Sequence, residues 1–385
     1  MSKANRLIGV LADMWEPNEQ EYAVAFLVLS SVGGSVVGAV VGGFVQVYAG
    51  LEWIFWVQMI FGGFVQLIHL LFNPETRSTI LLDREAKRRR KTGEDPNIYG
   101  PNELRKRITL KEFWTIVYRP FYMFFTEPIV TWLSLLSGFS DALIFTFLES
   151  FSLVYKQWGF STVQISLAFT PLLVGYGLAY LSYLPTIHRF RGIRRKDPDR
   201  LQPEARLWWL LFLAPLEAIG LFGFAWTSLG PSYGIPWIAP MIFSCLVGIA
   251  NYAIYQSSID YMTAAYGPYA ASATGGNDLA RDFLAGIAAL YSTPMYKNIP
   301  GRPLEYASTI LACLAIVVTI PIYVFYKKGP GIREKSKFAQ SLNQKRLSKG
   351  EEAEGGMAKP KGEKGRSGSN DSKASGPEFR ENTNV

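Results

Sequence analysis

Histidine and cysteine are almost missing from this sequence, with two of each in 385 residues. His69 and His188 stand far apart and far from Cys245 and Cys313, so no ligand set is spaced for zinc. Both cysteines fall within apolar runs, where a free thiol acts as a small packing group. No G-x-x-x-x-G-K-S/T stretch occurs, which removes the phosphate loop of an ATP-driven machine. A His-rich box, a Ser/His/Asp set and paired metal ligands are also lacking. The expectation is therefore a non-enzyme with no cofactor and no metal. Residues 1–12 are only weakly apolar and are followed by Asp13 and Glu16, unlike a cleavable signal peptide. The net charge of +8 comes without an interleaved aromatic and basic surface pattern, so nucleic acid is not an expected partner.

Apolar residues, by contrast, are abundant. They make up 49% of the chain, yet mean hydropathy is only +0.11, because very apolar runs alternate with very charged connectors. The runs cover residues 23–47, 53–72, 128–155, 164–185, 207–228, 237–259, 270–291 and 306–326. Each is about long enough to cross ~30 Å of hydrocarbon. Aromatic residues gather near their ends, as at a membrane interface. A soluble protein would need eight fully apolar helices in the same length. The expected fold is an all-α polytopic membrane protein of about eight transmembrane helices.

Charge orients these spans. Connectors 73–126 and 189–206 and the segment after residue 326 are strongly basic. The connectors between them, 47–52, 156–162, 228–236 and 297–303, hold three Lys/Arg in all: Lys156, Lys297 and Arg302. The two sets alternate as eight spans require, which puts both termini and the basic connectors in the cytosol. Four parts follow: residues 1–72 with two spans, a cytosolic loop 73–126, a six-span bundle 127–326, and a polar, Gly/Ser/Lys/Glu-rich tail 327–385 that reads as disordered.

Several stretches, in order, carry a resemblance. Residues 34–43 (GSVVGAVVGG) are similar to the antiporter motif of a fifth span. Pro74-Glu75-Thr76, with the Arg/Lys run near residue 90, is similar to a signature after a sixth span. Leu148-Glu149-Ser150-Phe151 is similar to a seventh-span stretch. Pro203-Glu204-Ala205-Arg206-Leu207 with Phe224-Ala225-Trp226-Thr227 is similar to the ends of a ninth. Tyr266-Gly267-Pro268-Tyr269 with Asn277-Asp278-Leu279-Ala280-Arg281 is similar to the start of an eleventh. Together they resemble fungal major facilitator transporters of the drug:proton antiporter branch, which includes polyamine exporters. The resemblance implies a partial major facilitator fold: a whole C-terminal six-helix bundle, two helices of the N-terminal one, and four spans missing upstream. It departs at Ala39, where the family has proline, and at Asp282, where the family has serine.

The candidate site residues are acids and polar groups inside these runs, because ionised side chains at membrane depth are costly and generally functional. Asp141 and Glu149 lie eight residues apart, so a helix holds them within about 80° of one face. Glu149 also matches the family stretch, and either acid can bind a cation, exchange a proton or fix helix packing. Glu217 stands between cavity and helix-contact roles. Arg281, Asp278 and Asp282 most simply form an internal ion pair. Asn251 and Tyr255, with Tyr252 and Gln256, offer amide groups and aromatic faces to an ammonium, or serve as polar glue. Gly34, Gly38, Gly42 and Gly43 form a small-residue stripe for close helix packing. The Arg/Lys cluster at 87–91 reads as a topology signal or an anionic-lipid contact.

These readings lead to a secondary active transporter exporting a small cationic or amphipathic solute (a polyamine, drug or secondary metabolite) by proton antiport and alternating access. The alternative is a truncated, non-transporting membrane protein derived from one. The expected partners are a small-molecule substrate, protons and the lipid bilayer of the plasma membrane or, alternatively, the vacuolar membrane.

Overall fold

The computed structural model describes residues 20–72, 75, 77–94, 97–104, 110–196, 201–336 and 338–340. The chain before Gln20 and the expected disordered tail beyond residue 340 lie outside the described residues. No strand occurs among those described. Two long helices come first, α1 (Gln20–Tyr48) and α2 (Leu51–Phe72). The central connector holds α3 (Ser78–Thr92), the short α4 (Pro101–Leu104) and α5 (Leu110–Thr126). A six-part bundle follows: α6 (Pro128–Tyr155), α7–α8 (Thr162–Leu167 and Thr170–Lys196), α9–α10 (Trp208–Leu213 and Pro215–Thr227), α11 (Ile238–Tyr266), α12 (Ala270–Asn298) and α13 (Pro303–Lys335).

Seven of these segments are long and apolar enough to cross a membrane. The eighth, α12, matches them in length but is diluted by Asn277, Asp278, Arg281 and Asp282. It pairs with α6 more extensively than any other two described helices pair, and Asn277, Asp278 and most of Arg281 are covered by protein, while Asp282 is exposed. The chain is an integral, multi-pass membrane protein.

Contacts between distant segments sort the helix ends into two sets. At one end, Glu21 of α1 bonds Arg194 of α8 and stands 3.3 Å from Arg206. There Arg333 donates to both oxygens of Glu204 at 2.7 and 2.9 Å, and the Tyr266 hydroxyl donates to Glu127 at 3.1 Å. At the other end, Gln157 donates to the Ser228 carbonyl and the Trp158 indole to that of Ile235, with Arg302 bonded to Tyr233. The helix ends that flank the basic connectors thus gather at one end of the bundle. The Arg333–Glu204 pair also explains why α13 runs on to Lys335, although the sequence reading ends the last span at residue 326. Gly329 packs against the Glu204 side chain, where a Cβ would clash at 2.5 Å.

Glycine sets a close crossing in the bundle. A Cβ at Gly175 of α8 would lie 2.4 Å from the Cys245 carbonyl oxygen of α11, and one at Gly248 would lie 2.9 Å from the Leu172 carbonyl oxygen. Each helix presents a glycine to the other's backbone, the small-residue device of membrane helix pairs. The stripe read from α1 does not do this. A Cβ at Gly34, Gly38 or Gly42 meets open space, while one at Gly43 would meet Ser166 at 2.3 Å. Buried Val28, Val32 and Val36 mark the face of α1 turned to the protein. Spacing every four residues makes a smooth ridge but does not say which way the ridge points. Helix α2 has no buried residue at all and touches the described chain through α1.

Two carboxylates hold four of the five cations in the basic cluster of α3 and leave it net positive. Arg88 and Arg89 bond Glu85 at 2.8–2.9 Å, and Arg90 grips both oxygens of Glu103 at 2.7 and 2.8 Å. Lys87 stands 3.6 Å from Glu103. The hydrogen bonds from Arg88 and Arg89 hold the Glu85 carboxyl below its ordinary 4.5, at about 2. Its pairing is therefore complete above the ordinary carboxylate range and is lost only as pH falls through about 2. In a carboxyl-carbon NMR titration, Glu85 is expected to show this low midpoint, and Arg88→Ala to raise it toward 4.5.

Candidate functional site

A cavity of about 430 Å³ opens between α1, α6, α11 and α12. Helix α1 contributes Ser31 and Ser35, one turn apart, and α6 contributes Asp141 and Phe145. Tyr255 reaches in from α11, and Asp278, Arg281 and Asp282 from α12. The lining mixes polar and apolar groups and holds three carboxylates against one guanidinium.

Arg281 organises this wall. Its Nη2 donates to Asp141 Oδ1 at 2.9 Å, and its guanidinium carbon sits 3.6 Å from the centre of the Tyr255 ring. The pair is mostly enclosed, with side chains 12% and 16% exposed. Arg281 of the expected ion pair bonds Asp141 on the facing helix, and Asp278, three residues earlier in α12, lies about one turn away on the same side of the helix. The Tyr255 face expected to receive an ammonium is occupied by the protein's own cation.

Three other candidates lie elsewhere. Glu149, two turns beyond Asp141, is exposed and accepts from Thr293 Oγ1 at 3.0 Å. Glu217 is fully buried in α10, near the Ser140 hydroxyl but with both oxygens outside ordinary hydrogen-bond geometry. Asn251 donates to that same Ser140 hydroxyl at 3.1 Å, which ties α11 to α6. Tyr252 donates to the Ala25 carbonyl at 2.9 Å and ties α11 to α1. These amide and phenol groups cross-link helices, and of the polar stretch on α11 only Tyr255 turns to the cavity.

Asp260 is a residue the sequence reading missed. It is buried in α11 between Tyr183, whose hydroxyl bonds it, and Gln256, which donates to it at 3.0 Å. The apolar run reads as ending at residue 259, so Asp260 passes for a connector residue, whereas the helix continues to Tyr266. Ser31 and Ser35 carried a weak signal, polar groups one turn apart in an apolar run.

Comparison with known proteins gives the arrangement its kinship. The family model for the Major Facilitator Superfamily matches residues 7–290. Similar curated proteins include the transporter paaT of Penicillium rubens, 29% identical over 343 residues, which cover 89% of this chain and 61% of paaT. The transporter mfs1 of Schizosaccharomyces pombe is 30% identical over 86% of this chain and 62% of its own length. The efflux pump atB of Aspergillus terreus is 31% identical over 86% of this chain and 70% of its own length. The chain spans about three fifths of the length of paaT and mfs1. No solved structure matches it. With the family match covering most of a helical, multi-pass chain whose relatives are named transporters and not enzymes, the chain belongs to the Major Facilitator Superfamily.

Proposed function

We propose that this protein takes part in secondary active export of a small cationic or amphipathic solute, driven by proton antiport through alternating access. The observation that supports this most is the acid excess of the cavity. Asp141, Asp278 and Asp282 face one arginine between helices of the two sequence halves. A cation entering there competes with Arg281 for Asp141, and a proton arriving at a carboxylate releases it; binding and proton uptake would thus exclude each other, as antiport requires. Aromatic and small residues beside the charges accommodate the apolar part of a solute. The name of atB, an efflux pump, supports the outward direction. The charge pattern favours cytosolic termini, and the plasma membrane is the proposed location.

The second reading, a non-transporting membrane protein derived from such a transporter, draws on helix α2, which buries no residue against the described chain.

Reconstitution separates the two readings. The purified chain in vesicles with an imposed pH gradient should accumulate spermidine or a cationic dye, and Asp141→Asn should reduce the gradient-driven rate at least about tenfold, ~1.4 kcal/mol. Glu149→Gln should change it far less, since Glu149 lies outside the cavity. Accumulation that is absent in every gradient would favour the second reading. Transport abolished by Glu149→Gln but intact in Asp141→Asn would move the coupling site two turns along α6.

A further inference from the structure

Helix α5 belongs to a connector that composition marks as hydrophilic, yet it exposes a continuous apolar stripe. Leu110, Trp114, Val117, Phe121 and Phe125 are 72%, 61%, 40%, 44% and 78% exposed. At 100° per residue they fall within about 80° of one another. The opposite arc carries Glu112, Thr115, Arg119 and Thr126, with Met123 and Ile116 along its bundle side. Tyr118 and Tyr122, apolar rings with a polar tip, fall between stripe and polar arc. This is the layout of a helix lying at a membrane surface.

Its position agrees. Arg119 stacks over Tyr269 at 5.2 Å and Tyr122 meets Phe338 edge-on at 6.2 Å, while the Pro120 carbonyl approaches Gly276 near the start of α12. Met123 is buried against the bundle. Only Glu127 separates α5 from α6. The helix therefore sits at the basic end of the bundle, at the level where α6 and α12 begin. Those two helices carry exposed apolar residues of their own, Trp132, Leu279 and Phe283, as spans of a multi-pass protein do where they meet hydrocarbon.

We propose that α5 is an interfacial helix. Its stripe is seated in the boundary between headgroups and acyl chains of the leaflet on the basic side, Glu112, Thr115 and Thr126 face water, and Arg119 and Met123 hold the helix to the bundle. The occupant of the stripe is lipid, because the stripe stands at the level where the spans α6 and α12 begin and is edged by tyrosines. The proposal requires membrane insertion but not transport, so it stands or falls apart from the transport reading.

The test uses the full chain in vesicles of phosphatidylcholine and phosphatidylglycerol, with Cys245 and Cys313 replaced by alanine and one spin-labelled cysteine introduced at a time. Labels at Leu110→Cys, Trp114→Cys, Val117→Cys and Phe121→Cys should collide readily with dissolved oxygen and poorly with a water-soluble nickel chelate. Thr115→Cys should show the reverse, with the oxygen-to-nickel ratio differing about tenfold between the two arcs. Nickel access along the stripe equal to that at Thr115→Cys would place it in water. Stripe labels shielded from both reagents would mean that protein covers it. Either result overturns the proposal. If the double alanine chain folds poorly, brominated lipid should quench the otherwise unaltered protein more than its Trp114→Phe variant. Equal quenching would also overturn it.

Discussion

Replacing Arg281 with methionine is expected to cost more than any other single change in the cavity. The side chain is nearly enclosed and bonded to Asp141, with the Tyr255 ring over its face. Methionine fills similar space but leaves Asp141, mostly enclosed, facing Asp278 with no cation. Breaking one partner out of a buried pair costs about 3–5 kcal/mol, because the remaining charge keeps its desolvation penalty. Arg281→Met should therefore fall markedly in thermal stability in detergent, read by size-exclusion recovery after heating, and should lose gradient-driven uptake. Adding Asp141→Asn should restore most of the recovery, since the stranded charge is removed. Uptake should stay lost, because the acid that meets cation or proton is gone. If Arg281→Met heats like the unaltered protein, the pair contributes nothing to holding α6 on α12.

The second large effect concerns the α8–α11 crossing. Gly175→Leu drives a side chain into the backbone of residues 245–249, where even a Cβ would lie 2.4 Å from a carbonyl oxygen. Flexible side chains can swing aside, but two helix backbones can only move apart. The movement would also unseat Gly248 from Leu172 and disturb buried Tyr252 and Tyr255 farther along α11. Overpacking a tight core costs about 1–3 kcal/mol and sometimes more, and here the lost contacts of the crossing add to it. Aggregation or loss of the monodisperse peak is the expected readout. Gly38→Ala is the control. It meets open space and gains up to about 1 kcal/mol in helix propensity, so its stability should hold or rise slightly. A reversal of these two results would return the stripe on α1 to the role its spacing suggests.

The contrast between these glycines shows what the sequence could carry. Where each helix lies was legible, because crossing hydrocarbon demands long apolar runs and the connectors then display their charge openly. Pro128 and Tyr155 bound α6 just where composition changes. Which helix ends gather together was legible for the same reason. Direction around a helix was not. Gly34 and Gly175 sit in similar apolar surroundings, and only the neighbour's position makes one indispensable. Partner choice was hidden too. Asp141 and Glu149 are nearly equivalent by sequence, but the facing helix puts arginine opposite the first and threonine opposite the second. Asp260 escaped because a run of apolar residues can end before its helix does.

The Asp141–Arg281 bond joins residues 140 positions apart, and the chain is made from one end. At about 5–20 residues per second, roughly 7–28 s separate the synthesis of the two. Through that interval α6 must be accepted into the membrane with its aspartate unanswered. An acid at the centre of an inserting helix costs about 2.5–3.5 kcal/mol, against gains of ~0.3–0.6 from each Leu, Ile, Val or Phe. The crowd of such residues in α6, from Ile129 through Leu148, thus has a task in biosynthesis as well as in packing: it carries the aspartate into the bilayer on credit until α12 arrives with the arginine.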